Sequence, residues 1–399
     1  MIAWRPPYPK FGDGPGLQRV QAVARRLGVD LAAFGRSGVA IVGSNGKGST
    51  AAMTEAALRA PGRIVGLFTS PHLLALNERF RVDGEDISDA ELAPAWARVC
   101  AAIEAEGVAS SIGAFEFLFL IAAHWFRARA CTHTIWEAGI GGRLDPVRLI
   151  EAQALALTSL DLEHTELLGG ALPEIAREKL AAAPRGADVF VGARCRAQGA
   201  EIEAYCEASA LRLHWPSKAG SAPLPGDYQR ENAGLALALA QQLTAQTPSM
   251  SALAGTRWSG RLEVLSREPL MVIDVGHTPA AVAAAKQAFL EMSRPAPMAL
   301  VCGVSRDKAV AALVQTLAPD FSVVICAAAQ HKGAPAAHVA QIAAQANPQA
   351  QVIAAESVAD AYAVARRNGR TIYAAGGLFL AAEFKAVHIG RDPASLVFF

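Results

Sequence analysis

The chain has 399 residues, 52% hydrophobic and 18% charged, with a formal net charge of +1. That near-neutral balance gives no electrostatic footprint for nucleic acid or an anionic membrane surface, and the length calls for more than one core, so two domains are expected. The longest apolar run, near 115–126, is too short to span a bilayer, and the N-terminal residues have no apolar targeting core. The expectation is a cytoplasmic monomer acting on small molecules. Cysteines 100, 131, 195, 206, 302 and 326 show no C-x-x-C spacing and lie mostly in apolar runs. That pattern fits buried free thiols in a reducing compartment better than disulfides or a zinc site.

Strand and helix signals alternate along the chain, which predicts parallel sheets covered by helices. Strands are expected at 38–42, 63–68, 134–137, 154–158 and 188–191, with clear helices at 49–59, 115–127 and 172–183. An Ala/Leu-rich helix should run from 229 to about 246, followed by the polar stretch 247–251. A second alternating series then begins, with strands at 270–274, 298–302, 322–325, 351–353 and 371–374. The predicted division is 1–253 for an ATP-binding domain with a parallel sheet and 254–399 for a smaller Rossmann-like domain.

The most informative segment follows the first strand: Gly43-Ser44-Asn45-Gly46-Lys47-Gly48-Ser49-Thr50. Glycines, one lysine and two hydroxyls entering a helix turn backbone N–H groups and a helix N-terminus toward a polyanion. Lys47 is placed for β/γ-phosphates, and Ser49 or Thr50 for Mg²⁺. The spacing differs from a standard Walker loop, because Ile41 sits at the first glycine position and Gly48 separates lysine from hydroxyl. ATP and Mg²⁺ are the expected ligands. Thr69-Ser70-Pro71-His72 follows the second strand, and Pro71 biases Ser70 toward an extended backbone that can aim its hydroxyl at a metal. Glu137, at a strand end before Gly139, Gly141, Gly142, Arg143 and Asp145, reads as a metal-holding acid beside a close backbone approach. Asp161-Leu162-Glu163-His164 follows the next strand, and His164 is the candidate ligand for a second cation.

Taken with these, Ile175-Ala176-Arg177-Glu178-Lys179, Leu224-Pro225-Gly226-Asp227-Tyr228-Gln229 with Asn232, Trp258-Ser259-Gly260-Arg261-Leu262-Glu263, Asp274-Val275-Gly276-His277-Thr278-Pro279 and Gly303-Val304-Ser305-Arg306-Asp307-Lys308 form an ordered set. The set resembles the dihydrofolate synthase/folylpolyglutamate synthase family of the Mur ligase superfamily, collinearly over nearly the whole chain. The resemblance implies a two-domain ATP-dependent amide ligase that adds an amino acid, L-glutamate in the family, to a carboxylate acceptor through an acyl phosphate. It implies that Ser49, Ser70 and Glu137 serve one Mg²⁺ and His164 a second, that Lys179 is the lysine carbamylated by CO₂, that Gln229 and Asn232 lie near adenine, and that Arg261, Asp274 and His277 close on ATP.

Departures concern the substrate ends. Pro146-Val147-Arg148 replaces a family Ala-Thr-Asn after Asp145. Gly376-Gly377-Leu378-Phe379-Leu380 lacks two hydroxyls near the incoming amino acid, and His331-Lys332 stands near a family Pro-Arg pair, where Lys332 is a substitute charge. Arg148 raises a paralogous ligase with a non-folate acceptor as an alternative. A non-catalytic nucleotide-binding protein is a further alternative, opposed by the presence of Lys47, Ser49, Glu137, His164 and Lys179 together.

Overall fold

The computed structural model describes residues 4–293, 297–367 and 371–398. Its strands are β1 (Gly38–Val42), β2 (Val65–Phe68), β3 (Phe80–Val82), β4 (Glu85–Asp86), β5 (His133–Glu137), β6 (Ala154–Leu157), β7 (Asp188–Val191), β8 (Arg212–His214), β9 (Glu263–Arg267), β10 (Leu270–Ile273), β11 (Met298–Cys302), β12 (Val323–Cys326), β13 (Gln351–Ala354) and β14 (Thr371–Ala375). They form an eight-stranded sheet, β4-β3-β2-β5-β1-β6-β7-β8, and a six-stranded sheet, β13-β12-β11-β14-β10-β9. Both are parallel at the centre, as the alternating pattern requires. Each departs from an all-parallel expectation at an edge, since β3 and β4 run antiparallel beside β2, and β9 runs antiparallel to β10.

Burial explains the central strands. Every residue of β1, β2, β6 and β7 is buried, so these strands read as continuous apolar runs rather than alternating ones. One face of the first sheet packs on a large aromatic cluster in which Phe68, Phe119, Phe126 and Trp136 meet with ring centroids 5.2–6.2 Å apart. The other face is covered by helices Lys47–Leu58 and Gln229–Thr244. The helix expected at 172–183 ends at Leu180, where the chain turns over Ala181 toward β7. The six cysteines are free thiols, four of them buried.

Strand order fixes where a ligand can sit. β1 lies between β5 and β6, so the chain leaves β1 to one side and later returns on the other, and the loops at their carboxyl ends diverge around a crevice. The loops opening into it are 43–46, 138–145 and 158–164. In the second sheet the corresponding ends are those of β10, leading to Asp274–Pro279, and β14, leading to Gly376 and Gly377. The two sheets present these ends to each other: Asn45 Nδ2 reaches Thr278 Oγ1 at 3.5 Å, and His72 meets the Val397 carbonyl at 2.7 Å.

Candidate active site

Helix Lys47–Leu58 begins at Gly46, whose φ of +90° is open to glycine at little cost. A Cβ at Gly46 would lie 2.7 Å from Asn232 Oδ1, and one at Gly48 would lie 2.7 Å from Trp258 Nε1. The loop is held from behind. Ser44 N–H donates to the Ser159 carbonyl (2.9 Å), Asn45 N–H donates to Ser159 Oγ (2.8 Å), and Thr158 Oγ1 and Ser159 Oγ donate to the Asn45 carbonyl. Lys47 Nζ folds over the loop to the carbonyls of Gly43 (2.8 Å) and Ser44 (3.4 Å). Ser49 Oγ accepts from Gln229 Nε2 at 3.3 Å, whereas the Thr50 hydroxyl is buried without a partner inside the helix packing. Ser49 thus has a side-chain partner on the helix Gln229–Thr244, and the Thr50 hydroxyl has none.

Gln229 and Asn232 are buried. Asn232 Nδ2 donates to Gln229 Oε1 (2.8 Å), and Arg194 donates to Asn232 Oδ1 (2.8 Å) and Glu231 (3.1 Å). These two residues therefore buttress the start of the helix. Arg194, unremarked in the sequence, brings a guanidinium to within reach of Gly46.

Glu137, at the end of β5, is buried and accepts the Ser70 backbone N–H at 3.1 Å. Burial pushes its carboxyl up, while Lys47, the Ser70 N–H, Arg261 and Arg79 pull it back toward the anion. Asp145 organises the glycine loop by accepting from Gly139 N–H (2.8 Å), Ile140 N–H (3.3 Å) and Val147 N–H (2.9 Å); burial still raises its carboxyl to about 6. Arg148 lies exposed on the turn Pro146–Ile150 and donates to the Arg143 carbonyl at 3.1 Å. It is no buried cation awaiting an acidic ligand group, so the reason for inferring an altered acceptor from it falls away.

Lys179 and His164 lie near enough for the lysine charge to act on the imidazole. Lys179 is buried and donates to Glu163 Oε1 at 3.0 Å. Burial and the Lys47 charge lower the Lys179 pKa, against Glu163. Burial would raise Glu163, but the charges of Lys47 and Lys179 with hydrogen bonds from Lys179 and Ser44 outweigh it and hold the carboxyl at about 2. His164 takes φ +47° at the start of the short turn Thr165–Leu168, with Nδ1 3.9 Å from Glu166. Glu163 is the residue in direct contact with the lysine, while the His164 ring lies in the fields of Glu163, Lys308, Glu166 and Lys179. An acid one residue before the chosen histidine was the available sequence signal.

From the second domain, Asp274 accepts Leu262 N–H (3.1 Å) and Gly276 N–H (2.7 Å) and stays buried, its carboxyl raised by desolvation and lowered by Arg261. His277 is pulled down to about 4 by burial, then by Lys308 and Arg261, so its imidazole is neutral at pH 7. Thr278, where the resemblance expects asparagine, caps helix Pro279–Met292 by accepting Ala281 N–H and also meets Asn45. Glu263 accepts Gly260 N–H (2.8 Å) and pairs with Lys385 (2.7 Å), fixing the turn that carries Arg261.

The residues suit a nucleotide and a hard divalent cation. Glycines leave room for phosphates over a helix N-terminus, and a buried carboxylate beside a serine hydroxyl offers oxygen donors. Among the described residues no three His, Cys, Asp or Glu side chains gather as a metal cluster. Few protein ligands, with the remaining positions left to phosphate oxygens and water, is the ordinary mode of Mg²⁺. Among the same residues no helix is long and apolar enough to cross a membrane.

Residues 260–376 match the family model described as Mur ligase, glutamate ligase domain. The chain is 33% identical, over 94% of its length, to a probable bifunctional folylpolyglutamate synthase/dihydropteroate synthase of Halobacterium salinarum, of which it spans 49%. It therefore covers about half of that longer relative. It is 32% identical to the folylpolyglutamate synthase of Lacticaseibacillus casei over 71% of this chain and 74% of that one. Its fold matches a bifunctional folylpolyglutamate synthase/dihydrofolate synthase from Yersinia pestis complexed with AMPPNP and Mn, with a TM-score of 0.78, 27% identity and coverage of 94% and 93% of the two chains. The chain belongs to the dihydrofolate synthase/folylpolyglutamate synthase family.

Proposed function

We propose that this protein is an ATP-dependent, ADP-forming ligase that joins the amine of L-glutamate to the carboxylate of a dihydropteroate or folate acceptor. The observation that carries this reading is the gathering of Lys47, Glu137, Lys179 and Glu163 with Arg261 and His277 at the facing strand ends of two sheets, in a chain of this family. A carboxylate oxygen of the acceptor takes the γ-phosphoryl group and ADP departs. The amine then attacks the acyl carbon, and phosphate leaves with the acceptor oxygen.

No nucleophilic side chain is required, so the protein's part is positioning and electrostatics. The N–H groups of the Gly43–Thr50 loop and the Lys47 ammonium hold the phosphates, with Arg261 facing them from the second domain. Bound Mg²⁺, held by Ser49, Ser70 and Glu137, with a second ion at His164 and Lys179, would neutralise charge on the transferring phosphoryl group. His277, neutral at pH 7, offers a hydrogen bond without adding positive charge. Asp274 fixes the turn at Gly276 on which His277 is carried. Gln229 and Asn232 support the nucleotide by holding the helix start. Burial and the Lys47 charge lower the Lys179 pKa, in the direction of the free amine that CO₂ carbamylates. The modified side chain would then stand as an anion beside Glu163, a pairing that needs a cation between them.

The reading makes the protein a cytoplasmic monomer whose partners are small molecules. A phosphate-release assay tests it: release is expected only when ATP, a pterin or folate acceptor and L-glutamate are all present. Release independent of the acceptor would reject the ligase assignment.

A further inference from the structure

The segment 396–398 crosses from the second domain onto the first, where it meets the loop after β2. Three contacts define the crossing. His72 is hydrogen-bonded through Nε2 to the Val397 carbonyl at 2.7 Å, and the Phe398 ring stacks on the His72 ring with centroids 5.8 Å apart and planes within 10°. Phe398 also packs edge-on to Phe379 at 4.8 Å, and 5.5 Å from His331. Phe379 and His331 follow β14 and β12 of the second sheet, whereas His72 follows β2 of the first. The segment is itself ordered by Arg391 Nε donating to Ser395 Oγ at 2.9 Å and by Asp392 capping the turn Pro393–Ser395.

Hydrogen-bond polarity carries the contact inward. Arg79 Nε is always a donor, and it donates to His72 Nδ1 at 2.9 Å. His72 Nδ1 is therefore the acceptor nitrogen, and Nε2–H donates to Val397. Both side chains are buried. The Arg79 guanidinium in turn lies in the field of Glu137 and Glu78. Glu78 accepts the N–H groups of Leu73, Leu74 and Ala75 at 2.7–2.9 Å, and Glu137 accepts the Ser70 N–H. Strap, imidazole and guanidinium thus form one directed hydrogen-bonded series that begins on the second domain, and the charge of its guanidinium acts on Glu137.

We propose that residues 396–398 are an interdomain latch, and that His72 and Arg79 are positioning residues through which its docking sets Glu137 for the metal–nucleotide complex. The inference rests on the reading of Glu137 as the metal-side carboxylate. It gives Phe398 a role in metal-dependent nucleotide binding although it lies on the other domain from that acid.

The test compares ADP binding by calorimetry in EDTA and with Mn²⁺ for the full chain and for Phe398→Ala, Phe398→Tyr, His72→Phe and Glu137→Gln. Phe398→Ala and His72→Phe should leave ADP affinity in EDTA within about twofold of wild type while reducing the Mn²⁺-dependent tightening roughly fivefold, as expected for coupling between contacting elements. Phe398→Tyr keeps the stack and should behave as wild type. If Glu137→Gln loses the tightening but folded Phe398→Ala retains it in full, the latch is overturned and the metal-site reading stands. If Glu137→Gln itself retains it, that reading falls and the latch with it. Phe398 is only partly buried, so its alanine variant decides the matter even if His72→Phe does not fold.

Discussion

The Lys47 ammonium donates to two loop carbonyls, yet its field reaches Glu137, Glu163, Lys179 and His277. Removing it should therefore cost function far more than stability. Lys47→Ala is expected to lower kcat/KM by about 10²–10³-fold, the scale of one preorganised charge contact, with an unchanged circular dichroism spectrum; near-wild-type turnover would remove it from the phosphate site. His277 supplies a pH signature. The unfolded chain takes up a proton below about 6.5, which the folded protein refuses until about 4. This group costs nothing above pH 6.5 and progressively destabilises the fold as pH falls toward 4, with a slope of about 1.4 kcal/mol per pH unit for one proton. In chemical denaturation across pH 4–6.5, His277→Gln should remove that slope, and an unaltered pH profile would contradict the assignment. The places of Lys47, Ser49, Glu137 and Lys179 at strand ends and in helices were legible from the alternation of apolar runs. The Lys179–Glu163 ion pair was not, because it joins residues 16 apart in sequence.

The loop 43–46 shows what an element adds to its residues. Its glycines are read easily from sequence, but the reason each must be glycine lies in distant partners: Thr158 behind Gly43, Asn232 behind Gly46 and Trp258 against Gly48. Gly46→Ala combines a left-handed φ with a Cβ 2.7 Å from Asn232 Oδ1 and is expected to destabilise the protein by about 1–3 kcal/mol. Chemical denaturation would show this, and an unchanged midpoint would mean the loop relaxes freely. Long apolar elements such as β1, β11 and helix Ala114–Ala128 declare themselves by length and burial. The edge strands β3, β4 and β9 do not. β4 has two exposed acidic residues, β3 has three residues, and β9 is half-buried up to the exposed Arg267, so none carries a usable period. Arg148 shows the converse, where a charge conspicuous in sequence ends on an exposed turn.

At the scale of the molecule, the site exists only where two sheets present their carboxyl ends to one another. We place the domain boundary at 253/254, since the exposed residues 245–247 precede the short turn Met250–Leu253 that packs back beside helix Lys47–Leu58. Limited proteolysis should cut first within 245–251, read by fragment mass; a first cut inside 260–376 would argue against that division. The two-domain alternation was visible in the sequence, whereas the seam was not, because contacts such as Asn45–Thr278 and Arg81 over Trp258 join residues remote along the chain. The central claim is that these halves together make an acyl phosphate. Its most direct measurement uses an acceptor whose carboxylate carries heavy oxygen, turned over with ATP and L-glutamate, with mass analysis of the released phosphate. One heavy oxygen per phosphate, alongside ADP and the glutamylated acceptor, is the predicted result. Amide formation with unlabelled phosphate, or no turnover with either dihydropteroate or a reduced folate, would contradict it.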